Sequence, residues 1–125
     1  GKGVKSIGND AFANCTALSS FTIPEDGILT SVGSEAFNGC SVLSTIVFPD
    51  ALKTLGDEVF YQCTGLGSVT IGKGIETIGA RAFYYCKALE TITIPVDAPL
   101  ASIGENAFYG IGVYSFGCSY CIRSG

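Results

Sequence analysis

The sequence has no histidine, tryptophan or methionine, and only 14% of its 125 residues are charged. Without histidine, the chain cannot build the Ser–His or Cys–His pair on which many hydrolases depend. Its seven Lys and Arg residues are outnumbered by eleven Asp and Glu, which gives a net charge of −4. Phosphate recognition needs clustered basic side chains, so this composition argues against a nucleic-acid partner.

Long apolar runs and phosphate-binding loops are also missing. No run approaches the ~20 residues of a membrane-spanning helix, so we predict no transmembrane segment. The glycines are spread along the chain rather than gathered into a phosphate-binding loop. From these absences together we expect no cofactor, no bound metal and no enzymatic activity. Apolar residues nevertheless make up 47% of the chain, enough for one domain with a sizeable core. Because the chain starts with Gly1 rather than Met, we expect a processed form or part of something longer.

A phenylalanine recurs every 23 or 25 residues, inside a pattern that repeats with it. A glycine lies four residues before each phenylalanine, and a leucine follows the first four of them by six. A cysteine follows three residues after the phenylalanine until Ile111 takes its place. The repeated residues are Phe12, Phe37, Phe60, Phe83 and Phe108; Gly8, Gly33, Gly56, Gly79 and Gly104; Cys15, Cys40, Cys63 and Cys86; and Leu18, Leu43, Leu66 and Leu89. A fixed period of this length indicates a solenoid of stacked repeats.

Each unit can be interpreted as a strand, a corner and one helical turn. Alternating apolar residues closed by Pro or Gly, as in residues 92–95, predict a strand. The glycine would allow a backbone angle that other residues avoid, and a polar residue (Asn9, Ser34 or Asp57) would cap a turn carrying Ala, Phe and Cys. We therefore predict a right-handed α/β solenoid with a parallel sheet on one face and short helical turns on the other. It would occupy residues 1–111, with repeats at about 1–24, 25–49, 50–72, 73–95 and 96–111, followed by a tail or cap over 112–125.

Residues 78–95, IGARAFYYCKALETITIP, resemble the BspA-like leucine-rich repeat, whose unit reads L-x-x-I-x-I-P followed by I-G-x-x-A-F-x-x-C. The resemblance covers about residues 4–111. It implies a leucine-rich-repeat solenoid without catalytic residues. It also implies a cell-surface or secreted protein used in adhesion and interaction, so we expect an extracellular or cell-surface location.

Two sets of cysteines have different expected roles. The repeated cysteines Cys15, Cys40, Cys63 and Cys86 should lie above one another as reduced thiols in the core, although their spacing also fits the distance limits of disulfides. Cys118 and Cys121 lie outside the repeat register. A disulfide between them, free thiols or a metal site all remain open, although one C-x-x-C pair without histidine is a weak metal signal.

Two surfaces are candidates for ligand binding. Outward strand positions should form columns of small polar residues, which could bind a flat, repetitive ligand such as a glycan or ice, or could simply keep the sheet soluble. The position after each phenylalanine should form a stripe of tyrosines, which either contact a partner or lie against the outer layer. The strand residues are Ser20, Thr22, Thr45, Ser68, Thr70, Thr91 and Thr93, and the stripe consists of Tyr61, Tyr84 and Tyr109, with Tyr85 beside it.

Two functional hypotheses follow from the sequence. In the first, the chain is a module that binds a protein or a glycan through the strand face or the tyrosine stripe. In the second, it is a structural scaffold or spacer held within a larger assembly. Because end repeats of a solenoid expose their core, we expect neighbouring repeats or a partner chain to cover Val4 and Ile7 at the N-terminal end.

Overall fold

A computed structural model of the chain describes residues 3–24 and 26–111, which form a parallel β-solenoid. Each coil contributes one strand to each of two sheets, and every pairing within them is parallel. One sheet has the order β1-β3-β5-β7-β9 and the other β2-β4-β6-β8. The strands are β1 Ser6–Ile7, β2 Ser20–Thr22, β3 Ser31–Val32, β4 Thr45–Val47, β5 Thr54–Leu55, β6 Ser68–Thr70, β7 Thr77–Ile78, β8 Thr91–Thr93 and β9 Ser102–Ile103.

The four-stranded sheet is the one that the sequence predicts. Side chains of a strand alternate between its two faces, and the middle residues Ile46, Val69 and Ile92 are fully buried. The Ser and Thr residues on either side of them are exposed or half-buried on the outer face. Phe21, Ile46, Val69 and Ile92 pair in register from coil to coil. The strand prediction for these segments is therefore confirmed.

The five-stranded sheet corrects the prediction of a single sheet. It is built from the aliphatic residue before each corner glycine and the Ser or Thr that precedes it. Val32, Leu55 and Ile78 are buried at this position, and they pair with one another in register. A strand of two residues is too short to show an alternating pattern in the sequence. Pairing with the neighbouring coils is what makes these segments strands.

The predicted short helical turns are also wrong, because no helix occurs in residues 3–24 or 26–111. Each phenylalanine lies between two residues with left-handed backbones, such as Glu58 at φ 55° and Gln62 at φ 56° in the third coil. An α-helix requires φ of about −63° throughout, so these residues interrupt it. The amide of Phe60 donates instead to the carbonyl oxygen of Ala82, one coil further on, at 2.7 Å. The segments are therefore successive β-turns whose hydrogen bonds also join the coils.

Two of the three polar residues predicted to cap helices, Asn9 and Asp57, bind the next coil instead. Oδ1 of Asn9 accepts a hydrogen bond from the backbone N–H of Ser34 at 2.8 Å. Oδ1 of Asp57 accepts one from the backbone N–H of Ala80 at 2.9 Å. A backbone N–H without a partner is costly in a folded protein, and these side chains satisfy donors that neither sheet uses. They hold successive coils together rather than starting a helix.

A continuous stack of phenylalanine rings fills the core between the two sheets. Neighbouring rings are 5.2 or 5.3 Å apart, centroid to centroid, and tilted by no more than 17°. Phe37, Phe60 and Phe83 are completely buried, which confirms that the repeated phenylalanines point inward. The stack consists of Phe12, Phe37, Phe60, Phe83 and Phe108. Among the described residues, no polar or charged side chain is buried beside it.

The repeated cysteines form a second column, and all four are free thiols. The Sγ of Cys63 donates a hydrogen bond to the carbonyl oxygen of Phe37 at 3.0 Å, and Cys86 makes the same contact with Phe60 at 3.1 Å. Burial raises the pKa of Cys63 to about 12 and that of Cys86 well above its ordinary value. Cys15, in the first coil, is only half-buried. The buried thiols are therefore protonated donors that connect one coil to the preceding one.

The corner glycines Gly33, Gly56, Gly79 and Gly104 are needed for a different reason from the one predicted. The described glycines with positive φ are Gly39 and Gly110, not the corner glycines. A Cβ on Gly56 would lie 2.6 Å from the carbonyl carbon of Gly33, and one on Gly79 would lie 2.5 Å from the amide nitrogen of Asp57. The corners of successive coils approach so closely that only glycine fits between them.

We predict that Gly56→Ala destabilises the chain by about 1–3 kcal/mol, the usual cost of overpacking, because two backbones must move apart. Gly8→Ala is the matched control, since a Cβ there meets no described atom within 4 Å. It should change the free energy of unfolding by less than about 0.5 kcal/mol. Urea denaturation of both variants measures this difference. Equal losses in the two variants would show that coil approach is not the reason for glycine.

We also predict that stability falls as the pH rises above 9.0, the ordinary pKa of the thiol. Above that pH an unfolded Cys63 loses its proton, whereas the native thiol keeps it until about pH 12. The native state then binds more protons, so the free energy of unfolding decreases with pH, by about 1.4 kcal/mol per pH unit for each such thiol. Urea denaturation across this range measures the slope. Cys63→Ala removes one of these thiols, so the free energy of unfolding should fall less steeply with pH. An unchanged slope contradicts the prediction.

Candidate functional site

The predicted strand columns lie on the outer face of the four-stranded sheet. Ser20 pairs with Thr45 in register, and the same column continues through Ser68 and Thr91. The second column consists of Thr22, Val47, Thr70 and Thr93. Val47, Ser68 and Thr70, on the two inner strands, are half-buried, whereas the other members of both columns are exposed. The face is flat and carries hydroxyl groups, but no charged side chain stands in either column.

A third hydroxyl column, which the sequence analysis missed, follows the five-stranded sheet. It is unbroken over five coils, and its members are Ser6, Ser31, Thr54, Thr77 and Ser102. The signal was present in the sequence, since a Ser or Thr stands two residues before each corner glycine. It was overlooked because that segment was not predicted to be a strand.

The tyrosine stripe forms a stacked aromatic column. The rings of Tyr61 and Tyr84 are 4.9 Å apart and parallel to within 2°, and Tyr109 continues the stack 5.1 Å from Tyr84. Tyr61 and Tyr84 are half-buried, and Tyr109 is 46% exposed. Stacking covers both faces of Tyr84, so its ring edge is what remains for a ligand. The column is a row of ring edges rather than a set of flat aromatic platforms.

Tyr85 is oriented differently from the column beside it. Its ring makes angles of 72° with Tyr84 and 70° with Tyr109, at centroid distances of 4.5 and 5.6 Å. The faces of Tyr84 are occupied, so its T-shaped contact uses the edge of Tyr84 and one face of Tyr85. The other face of Tyr85 is directed away from the column. The Nζ atom of Lys87 lies over the ring, 5.8 Å from its centroid.

Backbone hydrogen bonds between coils hold these tyrosines in place. The carbonyl oxygen of Tyr84 accepts a hydrogen bond from Gln62 N–H at 2.7 Å, and that of Tyr109 accepts one from Tyr85 N–H at 2.8 Å. Because these hydrogen bonds fix the backbone of each tyrosine, the rings lose little further conformational entropy when a ligand binds. Rigid aromatic side chains of this kind are favourable binding elements.

A shallow depression of about 460 Å³ lies beside Tyr85 and crosses three coils. Two columns of the repeat line it. One contains Gly39, Gln62 and Tyr85, and the other contains Ser41, Thr64 and Lys87. Of these six residues, only Tyr85 was predicted from the sequence to be a site residue. The residue after each repeated cysteine is nevertheless polar in all four coils. Only the stacking of three coils brings the six residues to one place.

Charged side chains stand two residues before the phenylalanine in several coils. Glu58 and Arg81 make an ion pair at 3.6 Å between Oε2 and Nε, with both side chains partly exposed. The side-chain amide of Asn38 donates a hydrogen bond to Oε1 of Glu35 at 3.2 Å. Exposed ion pairs contribute little to stability, so this column mainly solvates the turn surface.

No metal site can be assigned within the part of the chain that the structure describes. No group of three potential ligands from His, Cys, Asp or Glu converges there, and the buried thiols donate to carbonyl oxygens instead. Cys118 and Cys121, for which the sequence leaves a disulfide, free thiols or a metal site open, lie outside the described residues. The same described residues include no helix with the length and hydrophobicity required to span a membrane.

Several solved structures are similar to this chain. A T. pallidum leucine-rich repeat protein is 25% identical, with a TM-score of 0.81 over 93% of this chain and 59% of its own. A leucine-rich cell surface protein from Faecalibacterium prausnitzii A2-165 is 28% identical, with a TM-score of 0.69 over 92% of this chain and 36% of its own. The pneumococcal vaccine antigen PcpA, at 21% identity and a TM-score of 0.77, shows the fold alone; the match covers 96% of this chain and 29% of PcpA. This chain thus spans less than two thirds of each of these proteins.

The family comparison covers most of the sequence. The model of the BspA-type leucine-rich repeat region matches residues 1–118 in six copies. No curated protein sequence matches the chain. The repeat pattern and the described coils both lie within the residues that this model matches. The chain therefore belongs to the BspA-type leucine-rich repeat family.

Proposed function

We propose that the chain is a non-catalytic module that binds a protein or a glycan at a cell surface or outside the cell. Its family supports a repeat-based binding or scaffold role. The similar protein from Faecalibacterium prausnitzii is described as a leucine-rich cell surface protein, which supports the proposed location. The comparisons do not identify a ligand, so we infer the kind of ligand from the surface residues of the chain.

The observation that carries this proposal is the ordered tyrosine cluster on the turn side of the solenoid. Tyr61, Tyr84 and Tyr109 stack, and Tyr85 packs across them. These rings are only partly buried, although the phenylalanines next to them in sequence are fully inside. Tyrosine offers large contact area at low conformational cost and is enriched in recognition surfaces.

The outer face of the four-stranded sheet is the second surface available to a partner. Its hydroxyl columns repeat at the spacing of the coils, and no bulky side chain protrudes from them. Such a face suits an extended, flat ligand that contacts several coils at once. A partner of this kind would be sensitive to a bulky charge placed on the sheet, whereas a partner of the tyrosine cluster would not.

We predict that the labelled chain binds members of a combined glycan and surface-protein array, and that Tyr109→Ala reduces this binding about tenfold or more. The loss of one aromatic contact in an interface commonly has this effect. Thr93→Lys tests the strand face in the same assay. Ile28→Ala is the matched control, because it removes exposed apolar surface away from both candidate surfaces.

Thermal denaturation of each variant first establishes that its fold is intact. Binding that depends on Thr93 but not on Tyr109 would move the site to the strand face. The proposal would be wrong if the folded chain bound nothing on the array, or if neither surface variant differed from Ile28→Ala.

We propose as a second candidate that the chain is a scaffold or spacer whose N-terminal end is covered by neighbouring repeats or a partner chain. Phe12, Phe21 and Leu18 are only half-buried in the first coil, whereas their counterparts Phe37 and Leu43 in the second coil are completely buried. Of the two residues expected to be exposed at this end, Val4 is 38% exposed but Ile7 is only 7% exposed. The half-buried phenylalanines therefore mark the open end better than Ile7 does.

We predict that the isolated chain self-associates in a concentration-dependent way, because this apolar end has no cover. Light scattering coupled to size-exclusion chromatography measures the mass. Val4→Glu should lower the association, while Val96→Glu, at an exposed loop position elsewhere, should leave it unchanged. A stable monomer at every concentration would count against the scaffold proposal.

A further inference from the structure

The depression beside Tyr85 has features of a ligand site that neither the strand face nor the stacked tyrosines provide. Gly39 lies in the same column as Gln62 and Tyr85, and it contributes no side chain. The column therefore has a gap at Gly39, where no side chain protrudes, and Gln62 in the next coil borders this gap. Ser41 and Thr64 line the depression from the parallel column, and both are exposed.

Tyr85 closes one end of this depression and is held rigidly. Its ring lies at 72° to Tyr84 and 70° to Tyr109, and because both faces of Tyr84 are covered by stacking, it contacts the edge of Tyr84. Its ring also fills the space above Gly110, where a Cβ would collide with it. The remaining face has the ammonium of Lys87 over it, 5.8 Å from the ring centroid, so a ligand that contacts this face also meets the positive charge. Because the ring is held in place, it loses little freedom on binding.

Apart from Lys87, the polar side chains that surround this face of Tyr85 are uncharged. Ser41 and Thr64 carry hydroxyls, and Gln62 carries an amide, so they can both donate and accept hydrogen bonds. Lys87 is the only charged residue among the six described residues that line the depression, and its ammonium lies over the Tyr85 ring. The site therefore has a local positive charge on a chain whose net charge is −4.

We propose that this depression binds an acidic oligosaccharide, with Lys87 contacting a uronate carboxylate and Tyr85 contacting a sugar face. The inference rests on the proposed binding function and names a site and a ligand class for it. Gln62, Ser41 and Thr64 pair with the sugar hydroxyls. The two columns run along the solenoid axis, so the sugar chain crosses three coils.

The composition of the lining favours a sugar over a peptide. Peptide grooves obtain most of their affinity from apolar anchor pockets or from an open strand edge. This depression has no aliphatic residue in its lining, and its floor is a turn rather than a strand. Its volume of about 460 Å³ is within the range of small-molecule sites. A carboxylate accepts a hydrogen bond from Lys87 and also carries the opposite charge, whereas a neutral sugar offers only the hydrogen bond.

The test uses the full 125-residue chain and three uronate probes: an oligogalacturonate, an alginate oligomer and a hyaluronan fragment. Isothermal titration calorimetry measures the affinity, and amide chemical-shift changes locate the site. At least one probe should bind with shifts at Gln62, Thr64 and Lys87. The methyl ester of the same oligomer, which lacks the charge, should bind about tenfold more weakly or worse.

Variants then separate the site from general charge effects. Lys87→Gln should weaken uronate binding about tenfold or more, whereas Lys73→Gln, which removes the same charge at another exposed turn, should not. Tyr85→Phe keeps the ring and should retain binding. Tyr85→Ala should lose it, with the melting temperature showing whether the coil remains folded.

Three results would overturn the inference: no uronate binds, Lys73→Gln and Lys87→Gln have equal effects, or the chemical shifts change on the strand face instead. If the array assay still detects a partner in these cases, the binding function stands and only this site is wrong. If the array also detects nothing, the proposed function fails together with the site. Peptide binding at the same depression would likewise reject the sugar and retain the function.

Discussion

The whole structure depends on hydrogen bonds between equivalent residues of successive coils. They connect the strands of both sheets and also the turns, where the N–H groups of Phe12, Phe37, Phe60 and Phe83 each donate to the coil that follows. These bonds set one spacing for the entire molecule. Because the backbone repeats at that spacing, every side-chain column repeats with it, and rings of equal size stack 5.2 or 5.3 Å apart in the core.

The same spacing explains which residues cannot vary between coils. Inside the solenoid, a phenylalanine must lie on a phenylalanine, and a thiol must reach the carbonyl oxygen of the preceding coil. At the corners, the backbones approach closely enough to exclude a Cβ, which makes the glycines obligatory once a preceding coil is present. Stability then comes from the contacts between neighbouring coils, as is typical of solenoids, and a coil with one open side is the weak point.

Function is left to the columns that stacking does not constrain. The position two residues after each phenylalanine holds Asn14, Gly39, Gln62, Tyr85 and Gly110, all in the same left-handed conformation. These side chains differ in size and chemistry, although their backbones form equivalent hydrogen bonds from one coil to the next. Where this column lacks a side chain, as at Gly39, a depression forms at the surface without disturbing the core. Binding surfaces can therefore differ along a solenoid whose interior stays the same.

The sequence by itself determined the repeat, its inward-facing Phe, Cys, Leu and Ile residues, the four-stranded sheet and the tyrosine stripe, because each of these follows from period and local alternation. It could not determine the conformation of the phenylalanine turns. Their amides bind carbonyls on another coil, 22 to 24 positions further along the chain, which local rules for helices do not consider. The second sheet, the tilt of Tyr85 and the depression at Gly39 were likewise decided only by stacking, since each consists of residues from several coils.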